Sequence, residues 1–399
     1  MSAPPAIEER PDISTAALQA LRGDFLHFNV AGSGPTFPVA QRAAERFRTW
    51  LNEVGMFSPL GYDAYNQALA ATRADVAALL GDEGGGERVA LAQSATDGLN
   101  TLVAGLRLPR GSLIVTTAEE HPSALLPVRR RQELGDRVRV LRYRDDAAFL
   151  ADLAAAFGDG ARALVLSLVS CKTGNVLPVA AACRMAREAG AVSIVDAAQA
   201  AGQIPVEVRE IGADAVVTLG HKWLHGPLAT GAFQVADPGR FDVVRLGWRG
   251  ADREAATSGP PVADGFRLHA DATRFETGTV DAAAFVGLRQ AIAVQRALGE
   301  RVGERVRALR AVLIERLRGL PFDLLSRAED PTGIVVVAPH GGDAAGIVAR
   351  MWSEERIVVK HISDPDMPDS IRISFWALHD EAQLDVLADA FARRTAVPA

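Results

Sequence analysis

The sequence predicts an α/β chain: a mostly parallel seven-stranded sheet flanked by helices, followed by a smaller α+β unit. Three observations carry this. Seven short apolar runs (RVALAQ, SLIVTT, RVRVLRY, ALVLSLV, VSIVD, DAVVTL and TGAFQV) alternate with helical stretches. Most are β-branched and nearly continuous, the pattern of strands buried on both faces of a parallel sheet. After a loop-rich region near 245–275 the texture changes to one long amphipathic helix, three further strands and a closing helix. Finally, 399 residues exceed what one simple core needs and fit a large domain plus a small one.

In chain order, FPVAQRAAERFRTWLNEV and YDAYNQALAATRADVAALLG open as helices, with apolar residues three and four apart. The seven strands follow. GERVGERVRALRAVLIERLRGL reads as the long helix of the smaller unit, GIVVVAP, RIVVKH and SIRISFW as its strands, and DEAQLDVLADAFARR as the last helix. The expected division is an N-terminal segment, 1–30, crossing over to pack on the small unit, a large domain at 31–264, and a small domain at 265–399.

Composition narrows the functional classes. The chain is 48% hydrophobic and 23% charged with a formal net charge of −6. That suits a soluble globular protein and argues against a nucleic-acid or anionic-membrane surface. Two cysteines, Cys171 and Cys183, are too few for a disulfide scaffold or a cysteine-rich metal site. The polar start MSAPPAIEERPDIS has no apolar signal-peptide core, and no run approaches the ~18 apolar residues of a membrane span. The expected setting is the reducing cytoplasm.

In open α/β sheets ligands sit beyond the carboxyl ends of strands. VVTLGHKWLHG places Lys222 there, among glycines and aromatics, where burial lowers an amine's pKa and makes it nucleophilic. VSIVDAAQAAG places Asp196 at another strand end, either as a helix N-cap or as a partner for a buried cation. A lysine and an aspartate at adjacent strand ends suit a cofactor with two ends. Pyridoxal phosphate offers an aldehyde to the lysine and a ring nitrogen to the carboxylate. In LAQSATDGLNTL, Ser94, Ala95 and Thr96 open a helix, as an ordinary cap or as an anion site. In TTAEEHPSALLP, His121 follows Glu120 after a strand, placed to stack on a flat ring or to face solvent.

With these motifs in order, joined by RFETGT and SIRISF, nearly the whole chain from Phe28 to Phe391 resembles the class V, cysteine-desulfurase-like family of fold-type I pyridoxal-phosphate enzymes. The resemblance implies that Lys222 bonds the cofactor and shuttles a proton, and that Asp196 pairs with the pyridine nitrogen. It implies that Gln199 bonds the phenolic oxygen and His121 stacks on the ring. Ser94, Ala95, Thr96 and His221 would hold the phosphate. Thr279 would reach the phosphate of a neighbouring subunit, which implies a homodimer with shared active sites. Arg372 would bind the substrate carboxylate, a task suited to a guanidinium fork; Asn29 belongs to the same group.

Two departures from the family stand out. Leu219 occupies the position three before the lysine, where the family has a hydroxyl, and Thr218 points elsewhere in a regular strand. Lys172, in SCKTGNVLP, replaces a neutral or aromatic residue and is expected to face solvent rather than substrate. A cysteine desulfurase needs a cysteine on a mobile loop before the carboxylate-binding arginine. SEERIVVKHISDPDMPDSIRIS has none, and Cys171 and Cys183 are placed far back in the large domain. FLHFNVAGSGPTFP, RLGWRG and the segment before Arg372 resemble cystine C–S lyases and isopenicillin-N-epimerase-like members. The expected reaction is β-elimination from a cysteine-derived amino acid. Trp248 is expected to cover the reacting centre, and Arg249, Lys360 and His361 to meet the distal end of the substrate, with surface salt bridges as the alternative for Arg249 and Lys360. The rival readings are an aminotransferase or epimerase, and a catalytically silent binding protein of the same fold.

Overall fold

The computed structural model describes residues 3–7, 12–14, 24–252 and 267–395. The expected domain boundary at 264/265 lies outside them. The main sheet contains seven strands: β2 (Val89–Ala92), β3 (Leu113–Thr117), β4 (Arg137–Leu141), β5 (Ala161–Ser167), β6 (Val192–Asp196), β7 (Ala215–Leu219) and β8 (Gly231–Val235). Their order is β2-β8-β7-β6-β5-β3-β4. Strands β4, β3, β5, β6 and β7 run parallel, and β8 runs against both of its neighbours. All seven runs expected from sequence form these strands.

The continuous apolar pattern has a direct cause. Successive side chains leave a strand on opposite faces, and both faces are covered here. Val195 and Val216 enter one core while Ile194 and Val217 enter the other. Helices α1 (Pro38–Val54), α2 (Pro59–Leu79) and, between strands, α3 (Ala95–Ala104), α4 (Pro122–Glu133), α5 (Asp146–Gly158), α6 (Val179–Glu188) and the short α7 (Val208–Ile211) supply the cover. Helix α8 (Ala282–Leu298) was not expected from sequence. Its buried set runs almost without a break from Ala282 to Leu288 and on to Gln295, because it packs against α1 and α2. An all-round buried helix carries no amphipathic stripe to read.

A second, four-stranded antiparallel sheet follows, in the order β12 (Lys360–Ile362), β13 (Ser370–Ser374), β10 (Ile334–Pro339), β9 (Phe322–Leu324). Helices α9 (Arg301–Leu317), α10 (Ala344–Glu355) and α11 (Glu381–Thr395) accompany it. RIVVKH, read as one strand, is two: β11 (Ile357–Val358) pairs in parallel with β1 (Leu26–His27), and β12 pairs with β13. Of the N-terminal segment expected to pack on this unit, residues 26–28 do so, whereas residues 4–7 line a pocket with Phe47, Ala68 and Arg289 of α1, α2 and α8. Phe28 N–H donates to Val358 at 2.8 Å and Ser374 N–H donates to Phe28 at 2.8 Å.

Candidate active site

The carboxyl ends of β2, β3, β5, β6 and β7 converge on a cavity of about 180 Å³. Its lining includes Thr96, His121, Cys171, Asp196, Gln199 and Lys222. Reversal of β8 brings its first residue, Gly231, to the same edge, in register with Ala92 and Leu219. A Cβ on Gly231 would sit 2.8 Å from the Ser94 backbone. The bare glycine therefore lets the start of α3 come down onto the sheet.

Asp196 ends β6 and is buried. One oxygen, Oδ1, accepts from Ala198 N–H at 2.9 Å. Burial raises its pKa, opposed by that hydrogen bond and by Lys222. Lys222 is buried too; desolvation lowers its pKa, Asp196 opposes this, and its amine makes no hydrogen bond or ion pair among the described residues. Gln199 is locked between Ala31 O, to which Nε2 donates at 3.0 Å, and Trp223 Nε1–H, which donates to Oε1 at 2.8 Å. The turn after Lys222 is anchored by His225. This residue takes a left-handed φ of 54° and stacks on Phe37, with Nδ1 2.9 Å from Pro35 O.

His121 caps α4 and accepts at Nδ1 from Ser123 N–H, 3.1 Å away, so its ring proton belongs on Nε2. Burial first, then the positive charges of Lys222 and Arg372, push it down to about 4, so the ring is neutral near pH 7. Ser123 was missed as a site residue. Its hydroxyl lies 2.8 Å from His121 Nδ1 and 2.7 Å from Thr96 Oγ1, and it lines the cavity. It sat inside the quoted motif, but only folding shows that it joins two strand ends. Ser94 Oγ is engaged in capping α3 through Asp97 N–H at 3.1 Å, so its contribution at the cavity is backbone. Leu219 does line the cavity, and Thr218 does not: its hydroxyl is buried elsewhere without a partner. The polar groups around the missing hydroxyl are Thr96, Ser123 and His221, whose Nδ1 is buried and unpartnered.

Glu120 is buried behind this floor. It accepts from Thr117 Oγ1 at 2.6 Å, and from Ser167 N and Oγ at 2.9 and 2.6 Å. Burial raises it to about 7, with Asp196 adding to the rise and the three hydrogen bonds opposing it.

The wall comes from the second sheet. Arg372 on β13 donates to Cys171 O at 2.7 Å and to Asn29 Oδ1 at 3.3 Å, while its Nε is buried without a partner. Two expectations are corrected here. Cys171 is not far back: it lines the cavity, because β5 ends directly beneath it. Lys172 does not face open solvent. Its amine donates to Ala118 O at 2.7 Å and pairs with Asp364 at 2.5 Å.

Other expected contacts lie elsewhere in this chain. Trp248 and Arg249 line a separate surface pocket of about 490 Å³ with Tyr62, Asn66 and His269. Arg249 is held by Glu276 at 3.2 Å and Asn66 at 3.4 Å, a largely buried ion pair rather than the surface salt bridge of the alternative. Thr279 is exposed. Lys360 lies directly across from Arg372 on the neighbouring strand and is also exposed. His361 Nε2 is bonded to Asp369 at 2.5 Å.

A buried lysine and aspartate at adjacent strand ends, under a helix start that a glycine draws close, define a cofactor-dependent enzyme of the fold-type I kind. The sequence pattern of the aminotransferase class-V family matches residues 27–387, and the chain belongs to that family. A probable cysteine desulfurase of Methanothermobacter thermautotrophicus is 29% identical over 92% of this chain and 94% of its own length. An isopenicillin N epimerase of Streptomyces clavuligerus is 31% identical over 76% and 79%. Among solved structures, the cystine C–S lyase C-DES in complex with its product cysteine persulfide is 26% identical, with a TM-score of 0.85 over 94% of this chain and 99% of that one. A C-DES mutant carrying glycine covalently linked to its pyridoxal-phosphate cofactor is similar to the same degree, at 25% identity and a TM-score of 0.85. The protein is a pyridoxal-phosphate-dependent enzyme of the cysteine desulfurase and C–S lyase group.

The residues present fit that cofactor. Lys222, Asp196 and His221 line one cavity with Ser94 and Thr96 from the helix start that Gly231 draws close, and among the described residues the His221 Nδ1 lacks a partner. Among the described residues no helix is long and apolar enough to cross a membrane, and no cluster could hold a metal ion.

Proposed function

We propose that the enzyme is a C–S lyase that performs β-elimination on a cysteine-derived amino acid. For cystine the balance is cystine plus water giving cysteine persulfide, pyruvate and ammonia. Cysteine conjugates and their sulfoxides are the other members of the substrate class. The observation that carries this reading is a cavity lined by a buried amine, Lys222, unpaired among the described residues, together with no cysteine in the loop before Arg372.

Lys222, Asp196, Gln199, His121, Ala95, Thr96, Ser123 and His221 would hold the cofactor, which when bound supplies an electron sink for charge developing at Cα. Asp196, whose carboxylate is buried and among the described residues has only Ala198 N–H as a donor, would keep a proton at the ring nitrogen. Neutral His121 would cover the ring without adding charge. Lys222 Nζ would take the proton from Cα; burial lowers its pKa and so favours the neutral amine that this needs. Arg372 would grip the substrate carboxylate, held ready by Asn29 and the Cys171 carbonyl. As a homodimer, the exposed Thr279 and the Trp248–Arg249 pocket would serve the partner's site.

Cysteine desulfuration is a second reading, favoured by one observation: the Cys171 thiol lines the cavity. The two differ in product, since desulfuration leaves alanine and elimination leaves pyruvate. Purified enzyme supplied with cystine, cysteine, cysteine conjugates and sulfoxides should release pyruvate without a keto-acid acceptor, and Cys171→Ser should retain that activity within about twofold. Alanine formation lost in Cys171→Ser would establish desulfuration instead, and amino transfer or racemised product would overturn both.

A further inference from the structure

The two departures, Lys172 and the cysteine-free loop, meet in one contact. The loop at 363–369 joins β12 to β13 and leads straight into Arg372. Asp364 uses one oxygen, Oδ1, to accept from Asp366 N–H at 2.9 Å, which orders the loop, and the other to pair with Lys172. The paired side chains are only 19% and 15% exposed. Asp366 pairs with Arg142 of the large domain, and Asp369 accepts from Ala344 N–H at 3.1 Å and bonds His361. On the opposite side, Lys172 sits in a rigid turn. Ser170 Oγ accepts from the N–H groups of Lys172 and Thr173 at 3.1 Å each and donates to Glu119 at 2.5 Å. Gly174, at φ 76°, lets the turn press on Ile334: a Cβ there would meet Ile334 at 2.7 Å.

Lys172 follows Cys171, whose carbonyl Arg372 grips. The Lys172–Asp364 and Arg372–Cys171 contacts therefore close a ring across the two sheets, each link holding the other in place. We propose that Lys172 and Asp364 form a latch that fixes Arg372 against the cavity, making both positioning residues for the substrate carboxylate. The loop that must carry a moving cysteine in a desulfurase is here tied down. The carboxylate part of this proposal rests on the role given to Arg372 above; the latch itself does not.

The test uses the cofactor-loaded enzyme with Lys172→Met, Asp364→Asn, both together, and Lys172→Arg. Amide hydrogen exchange should quicken about three- to tenfold in 363–369 and in 171–174 for either single change. The double variant should add little to either single one, as expected of two halves of one contact, and Lys172→Arg should restore slow exchange. With L-cystine, KM should rise about threefold or more while kcat stays within about twofold. Unchanged exchange in both loops, a uniform rise across the whole chain, or a loss confined to kcat would overturn the latch. Faster exchange in both loops with no cystine turnover by the unaltered enzyme supports the latch and removes the substrate reading.

Discussion

The floor of the cavity is assembled from neighbouring strand ends of one sheet, whereas its Arg372 wall joins residues as far apart as Asn29 and Arg372, 343 positions along the chain. On the floor, Asp196 and Lys222 owe their places to parallel strands that end at one level. Arg372 has its backbone set between Val336 and Lys360 in the second sheet, but its guanidinium is aimed by individual contacts: Asn29, Cys171 O and, through the next residue, Lys172 with Asp364. Where chemistry is attached to sheet geometry, position follows from topology. Where it hangs on individual contacts, one substitution can move it.

The largest effect that sharpens this contrast is expected at the floor. Lys222→Ala should lower kcat by ~10³-fold or more if Lys222 is, as proposed, both the cofactor's covalent partner and the base at Cα. Cofactor absorbance should no longer shift when substrate is added. Retained turnover would show that the floor is not the reacting end.

At the wall, Arg372→Ala should raise KM about 30-fold or more, as expected when one member of a buried, hydrogen-bonded charged contact is removed. The cofactor spectrum should remain. An unchanged Michaelis constant would sever the wall from substrate binding.

The smallest expected effect tests the anchor beneath the floor. Burial first pushes His225 down to about 3, helped by His379 and His27 and opposed by the Pro35 carbonyl. Its folded value thus lies below the ordinary 6.5, so the unfolded chain takes up the proton first. The stability this residue contributes is full above pH ~6.5 and is lost as pH falls toward ~3. Urea midpoints at pH 7 and pH 5 should show His225→Asn, whose side chain tolerates a left-handed backbone, losing about 2 kcal/mol less than the unaltered protein over that interval. Parallel losses in both proteins would mean that His225 titrates normally.

The same contrast explains what could be read from sequence. Most strands of the large sheet were legible as nearly continuous apolar runs, with the edge strand β4 as an alternating RVRVL, and Lys222, Asp196 and His121 because they stand at or just past the ends of such runs. Helix α8 was hidden by being buried all round. Strand β9 was hidden by its three-residue length. Cys171 and Lys172 were misplaced because nothing local marks a turn that receives Arg372 and Asp364 from far along the chain. Ser123 was visible as a residue but not as a bridge, since its partners come from the ends of β2 and β3.

The pairing of β1 with β11, and of Asn29 with Arg372, has a consequence for how the protein is made. At ribosomal speeds of roughly 5–20 residues per second, the start of the chain waits about 20–70 s for the segments that complete it. Once Val235 has emerged the large sheet can form with Lys222 in place, while Leu26–His27 still offers an open edge and the cavity lacks its Arg372 wall. A nascent chain cut short before Ser370–Ser374 would have Asp196 and Lys222 in place and lack the Arg372 guanidinium proposed to grip the substrate.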